Sequence, residues 1–558
     1  MATLRLLMTK RTRRPPLETK AIAPAPNVIP RWCFVSLGIV IIFFSLIRVR
    51  LLKLPLERDE GEYAYAGQLI LQGIPPYRLA YNMKLPGTYA AYSVMMAVFG
   101  QSPTGIHLGL LLINAATVTL MFFLTNRLFG PLAGLAAGSS YALLSTSESV
   151  LGFAGHATHF VVLAALGGIL VLLKALDSQR IVLYFASGLM LGLAFACKQP
   201  GIFFVLFGGY LLLVNQCRGA KDWLALVLRV AVFGAGAALP FALTCVILFF
   251  AGVLGKMWFW TFSYGAQYAS ALNLSQGWQQ LSAAAPSVAE PALFVWILAG
   301  FGLVALAWDS RSWRHASFAI GFLLFSSAAV CPGLYFRQHY FIVVLPAVSL
   351  LVGIAVGAAE RELAKYLRSP VWAAAIPLLV FLVAMVPSVA AQGEVFFKLD
   401  PVAVCRHTYG NNPFPEAQTI SEYIDRQSAE GARIAVIGSE PEIYFYSRRH
   451  SATGYIYTYP LVEPQKYAFD MQKDMAREIE NSRPEYMIFV QVPASWLASP
   501  DSSRFIFDWF QEYVASDYEL VGIADETVPQ TAYIWGDAAK SYHVQSDASL
   551  SIFKRRNN

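Results

Sequence analysis

Charge is scarce in this 558-residue chain: 14% of its residues are Asp, Glu, Lys or Arg, while 56% are hydrophobic. A soluble domain carries about 25% charged residues. The shortfall excludes an ordinary soluble protein, and the apolar content excludes disorder and collagen-like repeats. Cysteine is sparse and unpatterned. The six residues are Cys33, Cys197, Cys217, Cys245, Cys331 and Cys405, no two are spaced as CxxC, and five fall in or beside apolar segments. Neither a disulfide framework nor a zinc site follows from them. A GxGxxG pattern is missing as well. Gly438 stands alone after a strand-like run, which leaves a dinucleotide site without support, and no internal repeat occurs.

What charge there is lies unevenly. Residues 1–390 hold 27 Lys+Arg against 12 Asp+Glu, a net of +15, and residues 391–558 hold 15 against 23, a net of −8. Three parts are therefore expected: a basic tail at 1–31, a membrane body at 32–390 and a polar domain at 391–558. A membrane-spanning helix needs about 20 apolar residues. Stretches near that length fall at 32–48, 105–126, 131–147, 157–174, 181–197, 201–215, 227–250, 292–308, 315–331, 338–358 and 371–389. The fold expected is a polytopic α-helical membrane protein of about eleven transmembrane helices with a C-terminal extracytoplasmic α/β domain.

Cationic loops set the orientation. Arg5, Lys10, Arg11, Arg13, Arg14, Lys20 and Arg31 put the N-terminus in the cytoplasm, and Arg127, Lys174, Arg180, Arg218, Lys221, Arg311, Arg314, Arg361, Lys365 and Arg368 fall on alternate loops. Eleven spans then leave the C-terminal domain outside. The first apolar stretch is followed by Ile47-Arg48-Val49-Arg50 rather than a small-residue cleavage site, which argues against a signal peptide. One outer loop, 49–104, breaks the charge rule. Arg48, Arg50, Lys53, Arg58, Arg78 and Lys84 gather there, from snorkelling to lipid phosphates or from binding an anionic ligand at the membrane surface.

Past residue 391, the run 416–429 reads as a helix, Arg433-Ile434-Ala435-Val436-Ile437 as a strand, 464–482 as a polar helix and Tyr486-Met487-Ile488-Phe489-Val490 as a second strand. That alternation predicts parallel βαβ units.

Four acids fall within six positions of the first outer loop: Glu57, Asp59, Glu60 and Glu62. On a helix starting here, Asp59, Glu62 and Tyr63 share a face and Glu60 lies about 100° around it. Asp59 or Glu60 would also serve as a helix cap. The chemical reading is a general base beside a second carboxylate, since two close carboxylates split their pKa values and keep one ionised. Beyond the turn Gly73-Ile74-Pro75-Pro76-Tyr77, Lys84 sits among turn residues before Leu85-Pro86, where an ammonium suits a phosphate.

These motifs resemble the first outer loop of the GT-C superfamily, and more narrowly bacterial membrane glycosyltransferases related to protein O-mannosyltransferases and lipid A aminoarabinose transferases. The resemblance implies that Asp59 is the catalytic carboxylate with Glu60 as its acidic partner. It also implies that Lys84 meets the phosphate of a polyprenyl-phosphate sugar. Where those relatives often carry a glutamate before the lysine, this chain has Met83. Other cations expected at the donor phosphate are Arg337, Lys198 and Arg58. Candidate sugar or acceptor contacts are Glu62, Tyr63, His156, His159, His339 and Tyr340. His156 and His159, at i and i+3, would with an acid from the first loop also suit a divalent metal. Trp258, Trp260, Tyr264 and Tyr268 fit an interfacial aromatic belt or a sugar-stacking surface.

The activity expected is inverting transfer of a sugar from a polyprenyl-phosphate donor to an extracytoplasmic acceptor (glycolipid, polysaccharide or protein) at the bacterial plasma membrane, with no nucleic acid involved. The competing classes are a transporter or lipid flippase and a non-catalytic envelope assembly factor. Transport predicts ionisable groups at mid-membrane and inverted repeats, and the sequence has few of the first and none of the second.

Overall fold

The computed structural model describes residues 29–218, 223–527 and 530–556. The basic tail through Lys20, the loop residue Lys221 and the side chains of Cys217 and Arg218 lie outside what it describes. Each of the eleven apolar stretches is helical over most of its length. Among the described residues, six helices are long and apolar enough to cross a membrane: Arg31–Arg50 (α1), Pro103–Phe129, Ala157–Ser178, Trp223–Phe250, Leu274–Trp308 and Pro370–Ala391. Others, including Pro131–Leu144, Ile181–Cys197 and Ala316–Ala328, are shorter. Two expected boundaries move. The stretch expected from 338 begins as a 3-10 turn over Gln338–Val343, and its α-helix runs Leu345–Tyr366. The stretch expected from 292 is preceded by the helix Leu274–Ala289, opened by an Asn273/Gln276 capping box.

Helices expose their aliphatic and aromatic side chains to lipid, as Leu224 and Phe250 do at 81% and 83% exposure. They meet one another through small residues, because lipid gives no hydrophobic drive for helix association. Between Ile181–Cys197 and Trp223–Phe250, a methyl on Gly188 would stand 2.0 Å from the Phe233 carbonyl oxygen, and one on Gly236 2.2 Å from that of Phe185. Only glycine permits this crossing.

At one end of the bundle, Arg361 pairs with Asp309 at 2.7 Å, Arg127 pairs with Asp177, and Arg311 donates to the Leu128 carbonyl. The other end carries two loop helices, Arg58–Leu71 (α2) and Pro86–Phe99 (α3), and the C-terminal domain. This domain holds a six-stranded sheet of Arg433–Ile437 (β1), His450–Ser451 (β2), Tyr486–Gln491 (β3), Tyr518–Asp525 (β4), Ala532–Trp535 (β5) and Ser549–Arg555 (β6), in the order β2-β1-β3-β6-β4-β5. The expected parallel units are present as β1 beside β2 and β3. The remaining pairs are antiparallel, so the sheet is mixed.

The domain is seated on α2. Gly61 lies so close to it that a Cβ would stand 2.6 Å from the Glu442 backbone nitrogen. Ser451 N–H donates to the Tyr65 hydroxyl at 2.8 Å, and Leu56 N–H to that of Tyr446 at 2.9 Å. Buried residues of α2, α3 and the sheet form one apolar cluster.

Candidate active site

The start of α2 settles which acid caps it. Glu57 accepts hydrogen bonds from the backbone N–H groups of Asp59 and Glu60, both at 3.0 Å. The cap expected of Asp59 or Glu60 is thus supplied one turn edge earlier, and the Asp59 carboxylate is left for other partners. Lys84 Nζ donates to Asp59 Oδ1 at 2.6 Å and to Glu62 Oε2 at 2.8 Å. Tyr457 of the C-terminal domain donates its hydroxyl to Asp59 Oδ1 at 3.2 Å. The second oxygen of Asp59 faces two imidazoles, His156 Nδ1 and His339 Nε2, each at 3.8 Å. Their rings stack at 4.2 Å with an interplanar angle of 12°.

Burial opposes ionisation of Asp59, yet Lys84 beside it holds its carboxyl below the usual carboxylate range. Burial has the upper hand at Glu57 and Glu62, whose carboxyls are pushed up. Burial likewise lowers His156 to about 4 and holds His339 well below its ordinary value, so both rings are neutral at pH 7.

Two cavities meet at Asp59. One, of about 220 Å³, is lined by Asp59, Tyr63, Lys84, Lys198, Arg337 and Tyr340. The other, of about 480 Å³, is lined by Asp59, His156, Gln280, Tyr335, Gln338 and Tyr409. Asp59, Arg337, His339, Tyr457 and Tyr459 border both. In the smaller cavity the Lys198 ammonium lies 4.2 Å from the Tyr340 ring centroid, and burial lowers its pKa to about 7. Among the described residues, no carboxylate forms an ion pair with Lys198 or Arg337. Both residues line the cavity that also holds Asp59 and Lys84.

Four expected roles change. Glu60 is turned away from Asp59, because it accepts from Gly155 N–H at 2.6 Å and meets His107 Nε2 at 3.2 Å; the neighbouring acid that shares Lys84 is Glu62. Glu62 is a support rather than a ligand contact, being fully buried with Lys84, Asn82 and Tyr89. Arg58 is consumed by the C-terminal domain: it pairs with Glu440 at 2.8 Å and donates to Ser439 O and the Tyr459 hydroxyl, so no charge is left for a donor phosphate. His159 is buried along its helix and lines neither cavity; His339 takes the place expected for it beside His156.

The cationic first loop resolves in the same way. Arg48 hydrogen-bonds Ser145 O, Arg50 binds the carbonyls of Val395, Phe396 and Leu399, and Arg78 donates to Ala251 O. Of the six cations, Lys84 alone reaches the smaller cavity. Trp258 is exposed, Trp260 stacks on Tyr81, and Tyr264 and Tyr268 line the smaller cavity. Tyr457, Tyr459 and Glu463 escaped the sequence reading. Their only signal is the run Tyr455-Ile456-Tyr457-Thr458-Tyr459, dense in tyrosine for an acidic domain.

A multi-pass helical body with a sheet domain seated on its first large loop is an architecture shared with GT-C glycosyltransferase structures. The family model described as dolichyl-phosphate-mannose-protein mannosyltransferase matches residues 84–263. Among solved structures the chain is similar to ArnT from Cupriavidus metallidurans bound to undecaprenyl phosphate, with a TM-score of 0.58 and 15% identity over 94% of this chain and 98% of that one. The apo state of the same enzyme gives a TM-score of 0.52 at 16% identity, covering 94% and 97%. The arabinofuranosyltransferase AftD from Mycobacteria gives 0.50 at 12% identity, covering 95% of this chain and 40% of that one. No curated protein matches the chain by sequence.

Proposed function

We propose that this chain is an inverting glycosyltransferase of the bacterial plasma membrane that moves a sugar from a polyprenyl-phosphate donor to an acceptor hydroxyl on the extracytoplasmic side. The observation that carries this reading is the convergence of Asp59, Lys84, Lys198 and Arg337 on one cavity. The similar ArnT structure binds undecaprenyl phosphate, which supports a lipid phosphate as the anion. In this reading the smaller cavity takes the donor and the larger, lined by amides and phenols, takes the acceptor.

As the bond from the anomeric carbon to the phosphate oxygen breaks, polyprenyl phosphate departs as a stable anion, so it requires cations rather than a general acid, and Lys84, Lys198 and Arg337 supply them. Asp59 accepts the proton of the acceptor hydroxyl as that oxygen attacks the anomeric carbon from the face opposite the phosphate. A carboxylate held this low by Lys84 is a weak base. A donor phosphate that draws the shared ammonium toward itself leaves Asp59 to the effect of burial, which raises its proton affinity. Lys84 thereby couples donor arrival to activation of the base. Single displacement inverts the anomeric centre, as in an inverting glycosidase with the acceptor in the place of water.

Asp59, His156 and His339 each offer a ligand atom, all within 4.8 Å of one another, and both ring nitrogens of His156 lack a hydrogen-bond partner among the described residues. That set fits a divalent cation, which would supply Lewis-acid polarisation of a bound oxygen.

The test is Asp59→Asn in the full-length protein. Mass spectrometry of lipid-linked sugars and envelope glycans should show transfer reduced about 10²- to 10⁴-fold. The purified variant should still bind undecaprenyl phosphate. Near-normal turnover in Asp59→Asn would overturn the assignment.

A further inference from the structure

One acid in the smaller cavity has no part in the chemistry above. Glu463 follows the short helix Tyr459–Val462 of the C-terminal domain and lines the cavity that also holds Lys84, Lys198 and Arg337. Its Oε2 accepts from the Tyr264 hydroxyl at 2.6 Å. Among the described residues its Oε1 has no hydrogen-bond partner and the carboxylate forms no ion pair. Burial raises its proton affinity, with Tyr264 and Arg337 opposing.

A carboxylate is out of place in a cavity built for an anion. It loses hydration on burial and repels the phosphate that the three cations attract. The arrangement is compatible with a phosphate-bearing ligand only where the carboxylate meets a portion of that ligand that donates hydrogen bonds. In a polyprenyl-phosphate sugar, the glycosyl group is that portion. Aromatic surface stands beside it. Tyr264 and Tyr268 line the cavity, and Tyr268 is held in place by stacking on Tyr335 with centroids 4.4 Å apart.

We infer that Glu463 is a specificity residue that accepts hydrogen bonds from the donor's glycosyl group and so selects a non-acidic sugar rich in hydroxyl or amino donors. The inference rests on the glycosyltransferase reading and adds to it the class of sugar and the contribution of the C-terminal domain. A uronic acid, whose carboxylate would face that of Glu463, is the class rejected.

The test measures binding to the full-length protein in nanodiscs at fixed pH. The probes are undecaprenyl methyl phosphate, which has the phosphodiester and no sugar, and undecaprenyl phosphates carrying a neutral hexose, a neutral pentose, an amino sugar or a glucuronic acid. In the wild type, at least one neutral or amino sugar should bind about tenfold or more tightly than the methyl diester, in keeping with hydrogen bonds to a charged group. The glucuronic acid should gain nothing. Glu463→Gln should erase most of that gain while leaving the methyl diester bound as well or better, and retained methyl diester binding also reports a folded site. Tyr264→Phe, which frees the carboxylate from its orienting bond, should shrink the gain in the same direction. The inference is overturned if Glu463→Gln keeps the full sugar-dependent gain, if no sugar binds better than the methyl diester, or if the glucuronic acid gains most. If the wild type fails to bind the methyl diester at all, the polyprenyl-phosphate reading itself falls and takes this inference with it.

Discussion

Lys198 gives the smaller cavity a charge that pH controls near neutrality. Its ammonium is buried over Tyr340, and burial lowers its pKa to about 7, with Asp59 opposing the shift and Lys84 and Arg337 adding to it. A group lowered in this way is charged below pH 7 and neutral above it. A phosphodiester bound alongside favours the charged form, so above pH 7 each binding event must take up a proton. Affinity then falls by up to tenfold per pH unit, about 1.4 kcal/mol, until the pH reaches the value Lys198 adopts in the complex. From pH 7 to 8.5 the expected loss is about 15-fold, since Lys198 is already half neutral at pH 7. Undecaprenyl methyl phosphate is the right probe, since its own single charge is constant over this range. Titrated into the full-length protein from pH 6 to 9, it should show flat affinity at the acid end and a falling limb above 7. Lys198→Arg, whose guanidinium stays charged, should flatten that limb. A wild-type affinity unchanged between pH 7 and 8.5, or a falling limb that persists in Lys198→Arg, would refute the reasoning.

Two further expectations follow from the ion pairs and the histidines. Arg58→Met leaves Glu440 buried without its partner and should destabilise the protein by about 3–5 kcal/mol, read as a lower Tm or chemical midpoint. Adding Glu440→Gln should restore much of the loss, and a double variant no more stable than the single one would show that the charge pair is not the cause. Equilibrated with Zn²⁺ and then dialysed, the protein should retain one ion at Asp59, His156 and His339 by elemental mass spectrometry. The His156→Ala/His339→Ala variant should lose it, and retention there would exclude the site.

The membrane body was legible in the sequence because lipid imposes a length and an apolarity on each helix that single residues cannot disguise. Among the described residues, six helices meet both demands. The parallel half of the sheet was legible from the alternation of strand and helix, whereas the antiparallel β4, β5 and β6 follow no such alternation, and β5 is four half-buried residues. At the site, Asp59 and Lys84 could be singled out because an acid cluster and a lysine framed by turn residues are local features. The fate of the neighbouring acids could not be read, since it is decided across the fold. Gly155 and His107 claim Glu60, Glu440 claims Arg58, and Tyr457 reaches Asp59 from 398 positions away. His156 was visible beside His159 by helical spacing, but its stacking partner His339 arrives from another loop.

The shared wall between the two cavities gives the molecule a modular future. Asp59, Arg337, His339, Tyr457 and Tyr459 face both chambers, while Gln280, Gln338 and Tyr409 belong to the larger one and Lys198, Tyr264 and Glu463 to the smaller. Mutation on one side can drift without trespassing on the other. On the proposed division of donor and acceptor between the two cavities, a lineage could thus exchange its acceptor and keep its donor, or the reverse, around the same five-residue partition.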